Sequence, residues 1–217
     1  MRRPEFIARQ ARCPSGILGQ LLGRIMAVET ASANDTALEL LTIRPHDRVL
    51  EIGFGHGRTI ARAASQAAAG FVAGVEVSET MLRMATRYNH GLIKGGRVAL
   101  HLADSRALPY PDGSFDRVFA VHTLYFWTEP EAHFREISRV MKEGAQFLLC
   151  FGPQEDTDMV RKFPATVYRF FSTDEVHMFL SDAGFGEFHM VRQTVAAREL
   201  VFARARRLPT NGSDCGS

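Results

Sequence analysis

The sequence predicts an α/β domain: a mainly parallel sheet, helices on both faces, and one antiparallel strand near the end. Three observations carry this. Apolar runs of strand length alternate with helical patterns from residue 36 to about 183. The first run, Val49-Leu50-Glu51-Ile52, leads into a glycine turn, Gly53-Phe54-Gly55-His56-Gly57, and then into Thr59 to Ala69, which is Ala-rich and free of Pro and Gly. The last two runs, about Glu187 to Thr194 and Arg198 to Ala205, are joined by about three residues. That is too short for a helical crossover, so the two strands must run antiparallel.

The elements follow in order. A buried strand, a tight glycine turn and a helix form the geometry that brings backbone close to a nucleotide. The glycines alternate as G-x-G-x-G, and Arg58 occupies the place of the last glycine in a dinucleotide fingerprint. An adenosine is still accommodated, but a pyrophosphate on the helix N-terminus is disfavoured. The second strand, Gly70 to Val77, carries Glu76 at its tip, where a carboxylate can accept from both hydroxyls of a ribose. Ser78 is placed to cap a helix over Glu79 to Tyr88. Arg97 to Leu102 reads as a third strand, followed by Ala103-Asp104. After the turn Tyr110-Pro111-Asp112-Gly113-Ser114 comes a fourth strand, Phe115 to Val121. A helix near Glu129 to Lys142 sets Phe134, Ile137, Val140 and Met141 on one side. Ala145 to Phe151 reads as a fifth strand. A helix begins at Thr173 and stops at Gly184.

This order of elements, with these end residues, resembles the class I S-adenosylmethionine-dependent methyltransferases. The stretch LADSRALPYPDGSFDRVFAVHTLYFW is similar to their small-molecule branch, which includes the ubiquinone/menaquinone biosynthesis type. The resemblance covers about residues 36 to 205. It implies a Rossmann-like seven-stranded sheet of order 3-2-1-4-5-7-6 with the last strand antiparallel. It also implies S-adenosylmethionine as cofactor and S-adenosylhomocysteine as product. Residue by residue, it implies that Gly53, Gly55 and Gly57 let the backbone pass under the amino-acid and ribose parts of the cofactor. Glu51 belongs near the amino-acid end and Glu76 at the ribose. Val77 and Met81 belong against the adenine, with Asp104 and the Ser105 amide at its amino group. A carbonyl within Ala120 to His122 belongs at the cofactor's ammonium. Surface carboxylates at strand ends are the plainer alternative for Glu51, Glu76 and Asp104.

Composition frames this reading. The chain has 217 residues, enough for one α/β domain with a large core, and a formal net charge of +2 gives no general case for nucleic acid. Cys13, Cys150 and Cys215 are odd in number and far apart, which points to reduced thiols and a cytoplasmic location. No Cys/His cluster has metal-ligand spacing, and no metal is expected. Met1-Arg2-Arg3-Pro4 leads into charged residues rather than an apolar run, so no signal peptide is expected. The tail, residues 208–217, is expected to be disordered.

Residues 1–35 read as a separate helical segment ahead of the main domain at 36–207. Ile17, Leu18, Leu21, Leu22, Ile25 and Met26 fall on one face of a helix, and Gly16, Gly19 and Gly23 weaken it. Three roles stay open: a lid over the cofactor and acceptor, an ordinary packed helix, or a membrane-surface helix. The last draws on Arg2, Arg3, Arg9, Arg12 and Arg24 against the single acid Glu5.

Methyl transfer from a sulfonium is an in-line displacement by an acceptor. The protein mainly positions that acceptor and excludes water. A base is needed only where the acceptor must lose a proton. After the fourth strand the chain reads His122-Thr123-Leu124-Tyr125-Phe126-Trp127. This is not the Asn/Asp-Pro-Pro-Tyr/Phe pattern of enzymes that methylate nucleic-acid bases. His122 is the best base candidate, against a structural histidine at a strand end, and Tyr125 would orient the acceptor. Tyr125 and Trp127 would line an apolar or cation-binding pocket, and together with Phe163, Tyr168, Phe170 and Phe171 they favour a small apolar or aromatic acceptor, packing alone being the plainer alternative. The reading is methyl transfer to a small organic acceptor at O, N or C. Its rivals are a membrane-surface phospholipid or quinone-precursor methyltransferase and a non-catalytic cofactor-binding partner or sensor.

Overall fold

The computed structural model describes residues 2–209. The tail expected to be disordered lies outside the described residues, apart from Leu208 and Pro209.

Alternation in the first strand explains the layering. In β1 (Arg48–Ile52), Val49 points into one core and Leu50 into the other. Both faces of the strand are therefore covered, as parallel strands require. β2 (Phe71–Glu76), β3 (Val98–Leu102), β4 (Phe115–Val121) and β5 (Met141–Phe151) extend the parallel sheet. β6 (Phe185–Val195) and β7 (Arg198–Arg207) form a hairpin, and β7 inserts antiparallel beside β5. The sheet order is β3-β2-β1-β4-β5-β7-β6, as the sequence implied. The hairpin turns on only two residues, Ala196 and Ala197, with φ of 48° and 61°. Positive φ at both positions matches the right-handed twist of the flanking strands.

Nine helices surround the sheet among the described residues: α1 (Glu5–Arg12), α2 (Gly16–Glu29), α3 (Ala31–Leu41), α4 (Arg58–Gln66), α5 (Glu79–Tyr88), α6 (His90–Lys94), α7 (Pro130–Val140), α8 (Thr157–Val160) and α9 (Thr173–Asp182). One core joins Leu38 and Leu41 of α3 and Ile60 of α4 to the Val49 face. The other joins Phe134 of α7 and Phe179 of α9 to the Leu50 face. Local signals set several ends. Ser78 accepts from the Met81 amide at 3.2 Å and starts α5 as expected. Ser172 and Glu175 form a reciprocal capping box at α9.

Three expectations need correction. The helix expected to Lys142 stops at Val140, because Met141 pairs with Phe115 and opens β5 four residues ahead of Ala145. The boundary expected between residues 35 and 36 falls inside α3, whose Leu38 and Leu41 are core residues. The largest correction concerns α2. Most of its large side chains do not face the protein: Ile17 is 87% exposed, Val28 71% and Leu21 54%, while Met26 turns inward to the core and the cavity. The buried face is Gly19, Gly23 and Ala27. A Cβ on Gly23 would lie 2.7 Å from Met81 Cε, and one on Gly19 2.7 Å from the Pro14 carbonyl carbon. The glycines read as weak points are the contact surface, because only a bare backbone fits there. No helix among the described residues is long and apolar enough to cross a membrane.

Candidate active site

The carboxyl ends of β1, β2 and β4 open into a cavity of about 430 Å³. Its floor is the glycine turn, with Glu51, Gly53, Gly55 and Glu76. Its roof is the N-terminal segment, through Cys13, Pro14, Gly23, Met26, Thr30 and Asn34. Ser78 ties roof to floor by donating to the Pro14 carbonyl at 2.5 Å. Gly55 has φ of 54°, and a Cβ there would point into open cavity space. Its amide donates to Glu76 Oε2 at 3.0 Å, while Val77 and Ser78 amides donate to Oε1 at 2.9 and 3.0 Å. The Glu76 carboxylate is thus held by three backbone donors. Burial still raises its pKa, with these donors opposing.

Glu51 is 3% exposed, and its Oε2 lacks a hydrogen-bond partner among the described residues. Burial, then the negative charge of Glu76, push its pKa up to about 8. His56 Nε2 and Thr123 Oγ1, also in the cavity lining, are likewise buried and unpartnered. A buried polar group without a partner is costly, so three such atoms at one cavity mark where a polar ligand completes the bonding.

At the far wall, Asp104 is engaged by Arg106, whose amide and guanidinium donate to it at 2.9 to 3.2 Å. Ser105 Oγ bonds His133 Nδ1 at 2.7 Å, and Trp127 stacks on His133 at 4.5 Å. Trp127, expected in the acceptor pocket, therefore lines the large cavity instead. Val77 and Met81 line this cavity as the sequence suggested. Two expected members do not: Ala120 is enclosed in the sheet, leaving Val121 and His122 to face the space. Gly57, with φ of 84°, caps α4 where a Cβ would strike Ala85 and Asn89.

A second, smaller cavity, about 60 Å³, adjoins the first. Phe126, Phe163, Tyr168 and Phe170 wall it, with ring centroids 4.7 to 6.2 Å apart. Phe171, expected here, is 1% exposed and packs edge-on against Phe179 in the core. His122 lines both cavities. It has φ of 58°, a conformation uncommon outside glycine. Its Nδ1 lies 3.1 Å from the Tyr125 hydroxyl, which accepts from the Gly152 amide at 2.5 Å. With one lone pair on the Gly152 amide, the hydroxyl can either give its proton to Nδ1 or accept an Nδ1–H on its second lone pair, and the 3.1 Å contact fits both tautomers. Burial, and then the Arg198 charge, push His122 down to about 4, so the ring is neutral at pH 7. In the first tautomer Nε2 is a donor; in the second it is the acceptor that the base role expected from topology needs.

Sequence reasoning missed the roof residues Asn34 and Thr30, the His133–Ser105 pair, and Arg3, Glu29 and Arg198 beside the second cavity. None belongs to a local motif. Helical periodicity in residues 31–41 was the one available signal.

Residues 50–149 match the family described as "Methyltransferase domain". The match spans β1 to β5, including the glycine turn and both carboxylates. Over these residues the chain is similar to the class I S-adenosylmethionine-dependent methyltransferases. The chain is 32% identical over 163 residues to 27-O-demethylrifamycin SV methyltransferase of Amycolatopsis mediterranei, covering 71% of this chain and 60% of that one. It is also 32% identical over 139 residues to the ubiquinone/menaquinone biosynthesis C-methyltransferase UbiE of Hydrogenovibrio crunogenus, covering 63% and 52%. It therefore spans just over half the length of these relatives. Among solved structures, the [4+2]-cyclase SpnF matches its fold with a TM-score of 0.70 at 19% identity, covering 95% of this chain and 92% of that one. The family match implies S-adenosylmethionine as cofactor. The residues present fit it: a bare turn at Gly55, a carboxylate beneath it at Glu76, and a buried oxygen of Glu51 without a partner. Among the described residues, no group of three or more His, Cys, Asp or Glu could hold a metal ion.

Proposed function

We propose that this chain passes a methyl group to a small organic acceptor seated where the second cavity meets the first. The observation that carries the reading is that junction, where Met26, Thr30, His122 and Phe126 line both cavities. The cofactor supplies a methyl group already activated on a sulfonium. The chain's residues have the remaining tasks. Glu76 holds the ribose hydroxyls, Glu51 the ammonium, and Val77 and Met81 the adenine. Asp104 and the Ser105 amide stand at the adenine edge. Pro14, Met26 and Thr30 roof the site, which supports the lid role for the N-terminal segment and exclusion of water. Phe126, Phe163 and Tyr168 seat an apolar or aromatic acceptor. His122, oriented by Tyr125, donates from Nε2 and positions that acceptor. The rifamycin relative is named for transfer to oxygen and the quinone relative for transfer to carbon. Oxygen and carbon acceptors both suit this site.

The test is production of S-adenosylhomocysteine when the chain is given S-adenosylmethionine and a pool of small aromatic acceptors. Cofactor binding without turnover on any acceptor would favour the non-catalytic sensor. Conversion of an unsaturated substrate without loss of the methyl group would place the chain with cyclases of this fold.

A second reading has its own observation. Ile17, Leu18, Leu21, Ile25 and Val28 form an exposed apolar ridge on α2, joined by exposed Phe6 on α1. Such a ridge is unusual on a free surface. Arg2, Arg9, Arg12 and Arg24 are exposed in the same segment, which suits an anionic bilayer. In this reading the same chemistry runs at a membrane surface. The wild type should then co-sediment with anionic vesicles, and Ile17→Ser/Leu21→Ser/Val28→Ser should not. Equal recovery of both in the supernatant would remove the reading.

A further inference from the structure

We infer that the acceptor is a small aromatic or apolar carboxylate, its charged end held between Arg3 and Arg198. The inference deepens the methyl-transfer reading and rests on it. Two guanidiniums border the second cavity, from opposite ends of the chain: Arg3 ahead of α1 and Arg198 at the start of β7. Glu29 is the one acid in that lining among the described residues. It stands 3.9 Å from Arg3 and 3.8 Å from Arg198. Both separations exceed a hydrogen bond. One carboxylate shared between two cations leaves the lining with an excess of one positive charge; Arg3 also hydrogen-bonds Tyr168, and all three charged groups are partly open to solvent. His122 also faces this cavity and contacts the Tyr125 hydroxyl through Nδ1. With two guanidiniums against the single carboxylate of Glu29, the lining is net cationic around its aromatic walls.

A carboxylate fits this pattern better than a neutral or cationic acceptor. A guanidinium presents paired donors in the geometry a carboxylate accepts. Arg3 is already held over the Phe163 ring at 5.0 Å, and its backbone amide donates to the Lys162 carbonyl at 2.7 Å. Its position is fixed before any ligand arrives, which limits the entropy lost on binding. A cationic acceptor would meet Arg3 and Arg198 head-on. A neutral one would gain little from guanidiniums already served by Glu29, Tyr168 and solvent.

The experiment uses the full chain saturated with S-adenosylhomocysteine. Benzoate, phenylacetate and 4-hydroxybenzoate are titrated by calorimetry against their neutral amides. At least one acid should bind about 10-fold or more tightly than its amide, more weakly as salt rises. Arg198→Gln and Arg3→Gln should each erase most of that preference while S-adenosylhomocysteine still binds. Equal binding of acids and amides, or a preference that survives in the double variant, overturns the inference. So does the absence of acid binding at millimolar concentration on a protein that holds S-adenosylhomocysteine. Failure to bind S-adenosylhomocysteine at all would instead sink the methyltransferase reading beneath it.

Discussion

The floor of the large cavity draws its carboxylates and glycines from short stretches at strand ends, Glu51 to Thr59 and Glu76 to Val77, beneath a roof and far wall from residues 11–34 and 103–133. The second cavity draws its groups from Arg3, Glu29, His122, Tyr168 and Arg198, spread along almost the whole chain. The first is a local code. Strand, turn and carboxylate are covalently close, so the backbone positions them with little help from packing. The second exists only once α2, β4, the segment after β5 and the hairpin have met. Cofactor recognition is therefore hard to alter without breaking the fold. Acceptor recognition can change one side chain at a time.

The sharpest way to break this contrast is at Gly55. Gly55→Val puts a branched side chain at φ of 54° and into the cavity. It should abolish measurable S-adenosylhomocysteine binding while circular dichroism stays native. Normal binding would mean the turn does not carry the cofactor. Glu76→Ala comes next. It removes the ribose acceptor and strands the Gly55, Val77 and Ser78 amides. Cofactor affinity should fall by roughly 2–4 kcal/mol. An unchanged dissociation constant would dissociate this carboxylate from the ribose.

Glu51 sharpens the comparison through pH. Its folded pKa, about 8, lies above its ordinary value of 4.5. A raised carboxyl keeps a proton that the unfolded chain has released. Its contribution is complete below about pH 4.5 and is lost as pH rises through about 8. The free protein should lose stability across that window. If the ammonium pairs with Glu51, S-adenosylhomocysteine binding at pH 7 should release up to one proton. Calorimetry in buffers of different ionisation enthalpy reads this, and Glu51→Gln should remove it. The same proton count in that variant would place the titration elsewhere. His122 and His133, both pushed down to about 4 chiefly by burial, act with the opposite sign. Their depressed values cost stability as pH falls below about 6.5; where the windows overlap two histidines outweigh one carboxyl, so these three groups together place the stability optimum near pH 6.5.

How much was legible follows the same division. β4 and α5 have the bounds expected from sequence, because each is an uninterrupted run with its own stop or cap. The sheet order was legible through the short hairpin and the family resemblance. The orientation of α2 was not. Periodicity finds an apolar face but does not say whether that face or a glycine face meets the protein. Here close approach to Pro14 and Met81 decided for glycine. Trp127 and Phe171 were assigned by nearness in sequence to the acceptor segment. Their rings went to His133 and Phe179, a choice made by packing alone.

A smaller effect is expected at the roof. Gly19→Val would collide with the Pro14 backbone and lift the turn that Ser78 holds. S-adenosylhomocysteine affinity should drop by about 10-fold, near 1.4 kcal/mol. In the wild type, ligand should protect residues 2–30 from protease, and in Gly19→Val that protection should shrink. Equal cleavage with and without ligand in both proteins would leave α2 as a packed helix and not a lid.

The smallest effect is expected where sequence alone suggested the largest. A general base at His122 would make His122→Ala cost about 10²–10⁴-fold in turnover. In the donor role proposed for the ring, Gly152 donates to the Tyr125 hydroxyl, the hydroxyl donates to Nδ1, and Nε2 keeps its proton. Removing a positioning donor beside an acceptor that arrives deprotonated should cost only about 10-fold. The pH profile of turnover should keep its shape. Tyr125→Phe should show up first in stability, because the buried Gly152 amide loses its partner at a cost of about 1–3 kcal/mol. Its turnover loss should not exceed that of His122→Ala, since it only releases a ring that stays in place. A loss of 10³-fold or more in His122→Ala, with an acidic limb gone from the pH profile, would restore the base. The donor tautomer would then be the wrong one for the working enzyme.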